Sequence, residues 1–320
     1  MAEWWLDEGI GEHRAGLLAD GQILEAAVDR LGDRLRVGAI VGAKLGERVG
    51  RGAWLATALG DAILEAVPAG LSQGRSLLVE IVREAIPEPG RLKPARARAS
   101  DAGAPRPGPT LAERFADARR IAPHDADPLE AAGWSELIEQ AATGEIDFTG
   151  GHLRLSPTPA MTLFDVDGAL PPADLAIAGA RAAALATRRL AIGGSIGIDL
   201  PTLASKAERA AAAAAIDDML PQPFERTAVN GFGFVQIVRP RPRASLPELV
   251  RADPALTAAL ALLRIATRGH GPRCLAAAPA VIARLDARPD WIDALARRVG
   301  GAIALRPDPA LAISAGHAGP

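Results

Sequence analysis

Tyrosine is missing from this chain of 320 residues, cysteine occurs once, and aromatic residues make up only 3% of it. The single thiol, Cys274, cannot close an internal disulfide, so the fold depends on its cores, and a reducing compartment is expected. Excess charge of either sign is lacking too: the formal net charge is −2. No global field then draws the chain onto nucleic acid or an anionic membrane, and any phosphate has to be met by a local patch. Long apolar runs are also absent, because Arg or Asp interrupts the alanine-rich segments, and this excludes a membrane-spanning helix. The opening residues MAEWWLDEGIGEH put Glu3, Asp7 and Glu8 where a secretory leader carries positive charge. A cytoplasmic protein without membrane contact is expected.

What is present describes a globular chain large enough for two or three folded units, with 49% hydrophobic and 23% charged residues. The expected fold is a multidomain mixture of α/β and β. Residues 1–36 form a hairpin segment, signalled by two apolar runs around Asp20-Gly21. Residues 37–100 read as a small closed barrel of short, glycine-separated strands with a basic loop. The Pro/Gly/Ala/Arg stretch from Pro87 to Pro109 reads as a linker or long loop. Between Arg91 and Arg120 eight basic residues face three acidic ones, which makes this the one local basic patch. Residues 101–150 are expected as a helical connector, with one helix over 110–121, where Leu111, Phe115, Ala118 and Ile121 share a face, and a second near 135–142.

From about residue 151 strands and helices alternate. Strand 161–167 leads to a helix over 173–190, strand 194–200, a helix over 202–220 and two short strands near 226–229 and 234–238, so that 151–245 reads as an α/β unit. A strand, helix, strand order implies a parallel pair with a right-handed crossover. Asp165 and Asp199 then emerge on one edge of the sheet, where two carboxylates can share a hard cation. Helices over 254–267, 280–285 and 291–299 with strands over 273–277, 302–305 and 311–314 make residues 246–320 a small C-terminal α/β unit.

Three motifs carry a family likeness. The segment AMTLFDVDGA is followed, 34 residues from Asp165 to Asp199, by GGSIGIDLP and then by AVNGFGFVQIVRPR. Together these resemble the catalytic region of the ribonuclease E/G family, in which one strand ends in D-I/V-N, the next reads G-G-x-I-x-I-D and a later S-V-N-G-F leads into a basic strand. The barrel region and EHRAGLLADGQILEAAVDR resemble that family's OB-type RNA-binding barrel and opening hairpin. The resemblance implies Mg²⁺-dependent endonucleolytic cleavage of single-stranded RNA, in RNA processing or decay. It makes Asp165 and Asp199 the catalytic metal ligands, with Asp167, standing where the family has Asn, as a further ligand of the metal. Trp54 and Lys93 on the barrel and Arg239, Arg241 and Arg243 after the last strand are implied as RNA contacts.

Several family features are missing: the basic, threonine-rich stretch after the first aspartate, the T-N-x-E-A segment (here AIAGA), the sensor of a 5′ monophosphate, and the paired zinc cysteines. Cys274 and His270 offer two ligands where structural zinc takes four, so no zinc is expected, and a homo-oligomer, if formed, does so without a zinc link. Two other readings stay open: an RNA-binding protein of the same fold with impaired catalysis, and a haloacid-dehalogenase-type phosphatase using FDVDG. The phosphatase reading needs downstream groups that Lys206 and the helical Asp217-Asp218 supply poorly.

Overall fold

The structure, a computed structural model, describes residues 1–88 and 90–320; Pro89, within the expected linker, lies outside the described residues. Three antiparallel strands open it: β1 (Glu3–Glu8), β2 (Glu12–Ala19) and β3 (Gln22–Arg30). Asp20 and Gly21 join β2 to β3 with φ of 51° and 74°, the two left-handed residues that a tight hairpin requires and that Asp-Gly tolerates.

Next come β4 (Ile40–Val49), β5 (Gly52–Thr57), β6 (Gly60–Leu64), β7 (Ser76–Arg83), the ribbon β8 (Ile86–Glu88) with β9 (Arg91–Lys93), and β10 (Ala95–Ala99). Five of them close into a barrel in the order β10-β6-β5-β4-β7. Its interior holds Ala43, Leu45, Ala53, Leu55, Ala62, Leu64, Val79, Ile81, Ala95 and Ala97, all buried, so small and large side chains alternate to fill a narrow lumen. The stretch expected as a linker therefore contributes the closing strand. ARARA has a period of two, with Ala95 and Ala97 inward and Arg96 and Arg98 outward, and the surrounding prolines mask that alternation.

The connector holds α1 (Leu111–Arg114), β11 (Arg119–Ile121), α2 (Pro128–Ala131) and α3 (Trp134–Thr143). The helix expected over 110–121 stops after one turn. Its remainder extends and pairs in parallel with β1, Trp5 against Arg119 and Asp7 against Ile121, so ladder pairing outweighs local helix propensity. The barrel is thus inserted between β3 and β11 of a single four-stranded sheet, ordered β11-β1-β2-β3.

Then follow β12 (Glu145–Phe148), β13 (Gly151–Pro157), β14 (Thr162–Gly168), α4 (Pro172–Arg189), β15 (Gly194–Asp199), α5 (Lys206–Met219), β16 (Glu225–Arg226) and β17 (Phe234–Arg239). They build a six-stranded sheet ordered β12-β13-β14-β15-β17-β16, in which β14 and β15 run parallel and the other neighbours antiparallel. Helix α5 begins later than Thr202 because Ser205 and Glu208 form a capping box, Ser205 Oγ accepting from the Glu208 amide at 3.1 Å. Helix α4 lies flat on β14 because Gly179 has no side chain: a Cβ there would come within 2.4 Å of Val166. The AIAGA segment thus serves packing.

The chain ends with α6 (Leu246–Ala252), α7 (Pro254–Thr267), β18 (Arg273–Ala277), α8 (Pro279–Asp286), α9 (Pro289–Val299), β19 (Ile303–Pro307) and β20 (His317–Gly319). A strand expected over 311–314 is displaced to β20, which pairs antiparallel with β18. Cys274 sits in β18, partly buried, with its thiol free. The largest apolar core is shared: Ile23 and Ala26 of the first sheet, Trp134 and Leu137 of α3, and Phe164, Ile196, Ile198 and the alanines of α4 belong to one cluster, which α6 joins through Leu246 and Val250. A second core lies around Leu260, Leu263, Leu275 and Leu285. Among the described residues no helix is long and apolar enough to cross a membrane.

A candidate carboxylate site on the open face of the sheet

Strand β14 alternates strictly: Phe164 and Val166 are buried toward α4, whereas Asp165 and Asp167 are exposed on the opposite face. In β15, Ile198 is buried and Asp199 is exposed. Parallel pairing sets Asp165 directly beside Asp199, so the two carboxylates stand on neighbouring strands about 4.8 Å apart, on the face that no helix covers.

The register carries this row further. Glu145 of β12, Arg154 of β13, Asp165, Asp199 and Phe234 of β17 follow one another across five strands. One pleat away, Asp147, His152 and Asp167 form a second row. Asp167 is therefore displaced from Asp199 along the strand, and among the described residues no group of three or more His, Cys, Asp or Glu side chains is arranged to hold a metal. What remains is a pair of carboxylates. That donor set fits a hard divalent cation that keeps most of its waters, and does not fit zinc.

Arg154 is the residue that motif reading missed. The sequence shows no basic stretch after Asp167, but β13 brings an exposed guanidinium opposite Asp165, its Nε 3.4 Å from Glu145. The signal was the alternation of HLRLS, which turns Leu153 and Leu155 inward and Arg154 outward.

His152 carries a carboxylate at each ring nitrogen: Nδ1 lies 2.7 Å from Asp147, and Nε2 contacts Glu145. The bond to Asp147, followed by that to Glu145, raises its pKa above the ordinary 6.5, with desolvation working against them. The protonated ring therefore adds stability that is fully present below pH 6.5 and is lost as pH rises through the raised value. Histidine ring resonances followed by NMR are expected to show His152 titrating above 6.5. In Asp147→Asn the midpoint falls; an unchanged midpoint removes Asp147 as the cause.

The VNGF segment forms the turn that abuts Asp199. Asn230 Oδ1 accepts from the amides of Phe232 and Phe234 at 2.9 and 3.1 Å. Gly233 has φ of +93° and lies so close to Leu200 that a Cβ would come within 2.1 Å of its carbonyl oxygen. This turn thrusts Phe232 outward at 81% exposure, next to the strand that carries Asp199.

The other expected contacts lie elsewhere. Trp54 sits on the outside of the barrel at 38% exposure, beside Ile63 of β6, which is in turn beside Arg96 of β10. Lys93 donates to Glu88 at 3.2 Å. Arg239 pairs with Gly194, five residues along β15 from Asp199, or about 17 Å at the rise of a strand. Arg241 is paired with Glu248, and Arg243 Nε donates to Glu84 at 3.1 Å. These three arginines thus gather at the end of the sheet away from the carboxylate pair, where Pro242 also accepts from the amide of Glu84 and ties in the barrel. Lys206 begins α5, whereas Asp217, near its end, is paired with Arg226.

No protein-family model matches this chain, and a search of curated proteins returns no match either.

Proposed function

We propose that this protein is a divalent-metal-dependent endoribonuclease acting on single-stranded RNA, as its resemblance to the ribonuclease E/G family implies. The observation that carries the reading is the in-register pairing of Asp165 and Asp199 on an uncovered sheet face. These two side chains would hold Mg²⁺. Bound there, the ion would supply a water of lowered pKa and offset charge on the phosphate. Arg154 places a positive charge beside Asp165 for the same phosphate, and Phe232 offers an exposed ring for a base. The closed five-stranded barrel, in which β10 pairs with both β6 and β7, supports the resemblance to an oligonucleotide-binding barrel. Trp54, with Arg96 beyond Ile63 on the neighbouring strands, and Lys93 would form its contact face.

Incubating the protein with a fluorescent single-stranded RNA, with Mg²⁺ or with EDTA, tests the proposal. Cleavage that requires the metal is expected. Binding without cleavage selects the reading in which the fold binds RNA and no longer turns it over, while turnover of small phosphomonoesters alone would sink both. A base stacked on an aromatic ring is worth about 1–3 kcal/mol. Trp54→Ala is therefore expected to weaken RNA binding roughly 5- to 150-fold by fluorescence anisotropy, without changing the cleavage rate at saturation. Equal affinity for the two proteins would take the barrel face out of the RNA path.

A further inference from the structure

A cleft of about 220 Å³ opens where the first sheet, the end of α4 and the segment after β17 meet, and arginines and one glutamate stand in its wall. They fall into two groups. At one end Arg243 donates to Glu84 at 3.1 Å, and Arg114, lying over the ring of Phe115, is drawn by Glu84 and Asp29, so each has acid facing it. At the other end Arg239 and Arg188 share Glu25: Arg188 Nε donates to it at 2.6 Å, and the charges of both Glu25 and Arg188 act on Arg239. One carboxylate between two guanidiniums leaves one positive charge over.

Arg239 carries that charge. It lies half-buried on the helix-covered face of β17, because Val235 and Ile237 of the same alternation belong to the shared core and Val238 is exposed. Its NH1 donates to the carbonyl of Ile192 at 3.2 Å, its Nε is buried without a partner, and its NH2 makes no bond among the described residues. Desolvation lowers its pKa, with Glu25 opposing the effect and Arg188 adding to it. A guanidinium so short of partners is costly until an anion meets it.

The wall beside Arg239 is apolar. Ile192, whose carbonyl holds it, lines the cleft, and the Leu246 amide donates to the carbonyl of Leu190, which brings Leu246 and, on the same helix, Leu249 alongside. An apolar cavity of about 150 Å³ admits benzene, so the 220 Å³ here admits a ring with a short arm. A single surplus charge selects a monoanion, and the planar guanidinium matches a carboxylate. We propose that this cleft binds a small carboxylic acid with an apolar body, its carboxylate on Arg239 and its body against Ile192, Leu246 and Leu249. The site does not depend on the RNA-cleavage reading, because Arg239 and Asp199 lie at opposite ends of the β15–β17 pair.

Calorimetric titration of the full chain at low salt tests it, with 3-phenylpropionate, the neutral 3-phenylpropan-1-ol, acetate and a single-stranded decanucleotide as probes. One 3-phenylpropionate per chain is expected, with the alcohol and acetate each roughly tenfold weaker or more, since one lacks the charge and the other the apolar body. Arg239→Gln weakens 3-phenylpropionate by the same factor, while Arg306→Gln, an exposed arginine of β19, leaves it unchanged. Should Arg239→Gln fail to fold, methyl NMR of the wild type decides: the signals of Ile192, Leu246 and Leu249 shift on titration, and those of Ile303 and Leu305 in β19 stay. Absence of binding, an affinity that Arg239→Gln leaves unchanged, or methyl shifts confined to other residues overturns the proposal. Equal affinity for the acid and either lesser probe does the same, as does displacement of 3-phenylpropionate by the decanucleotide, which would assign the cleft to a nucleic-acid backbone.

Discussion

Asp199→Asn is expected to lower Mg²⁺-dependent cleavage of single-stranded RNA by at least about 100-fold, or about 2.7 kcal/mol of transition-state stabilisation. The substitution keeps shape and removes charge. Asp199 is exposed at the end of β15 with its backbone in the ladder, so folding and RNA affinity are expected to persist while turnover falls. Asp165→Asn should do the same, and the double variant should be little worse than either single one, because two ligands of one ion act as a unit. Asp167→Asn should cost less, since its carboxylate lies one pleat away and faces His152. Single-turnover cleavage on one labelled RNA compares the four variants with the wild type. A wild-type rate for Asp199→Asn would remove the carboxylate pair from the chemistry.

The largest expected effect on stability lies at Arg14, 1% exposed, near the start of β2. Its Nε donates to Asp7 at 3.0 Å and its NH2 contacts Asp127, while the guanidinium lies 4.9 Å over the buried ring of Trp134. Arg268 reaches the same two carboxylates from α7's end, at 3.7 and 3.0 Å, so one cluster joins the first sheet, the N-cap of α2 and the C-terminal unit. Arg14→Met keeps bulk and leaves buried carboxylates short of a cation, a change that costs about 3–5 kcal/mol. Urea unfolding followed by tryptophan fluorescence should show the loss, whereas a shift under 1 kcal/mol would mean that Arg268 alone satisfies the cluster. Burial works to raise the pKa of Asp127, but Arg14, the Glu130 amide and Arg268 outweigh it and leave it below the ordinary 3.8. The contribution of Asp127 is therefore complete above that ordinary value and is lost as pH falls through the depressed one. Acid unfolding of the wild type should show this loss, and Asp127→Asn should flatten it.

Much of the architecture could be read locally. Asp20-Gly21 marked a hairpin because few other residue pairs accept two left-handed positions, and GSIGID marked a strand because β-branched residues alternate with small ones. Helix α7 and strand β18 fall where apolar periodicity puts them. Elements whose partner is distant in sequence were misread or missed. RRI became β11 because β1, more than a hundred residues earlier, offered it a free edge. ARARA became the closing strand because a barrel needs a fifth.

The candidate sites divide in the same way. The exposure of Asp165 and Asp199 and their place on successive parallel strands follow from alternation and from the order of strand, helix and strand, both local properties of the chain. That the two stand in one row with Arg154, that Asp167 falls out of it, and that Arg239 and Arg243 turn away to line a cleft with Arg114 and Arg188 was decided by tertiary structure alone. The reason is physical: an alternating pattern says which face a side chain takes, but the register between strands, set by packing of α4 and by the ladder itself, decides which side chains meet.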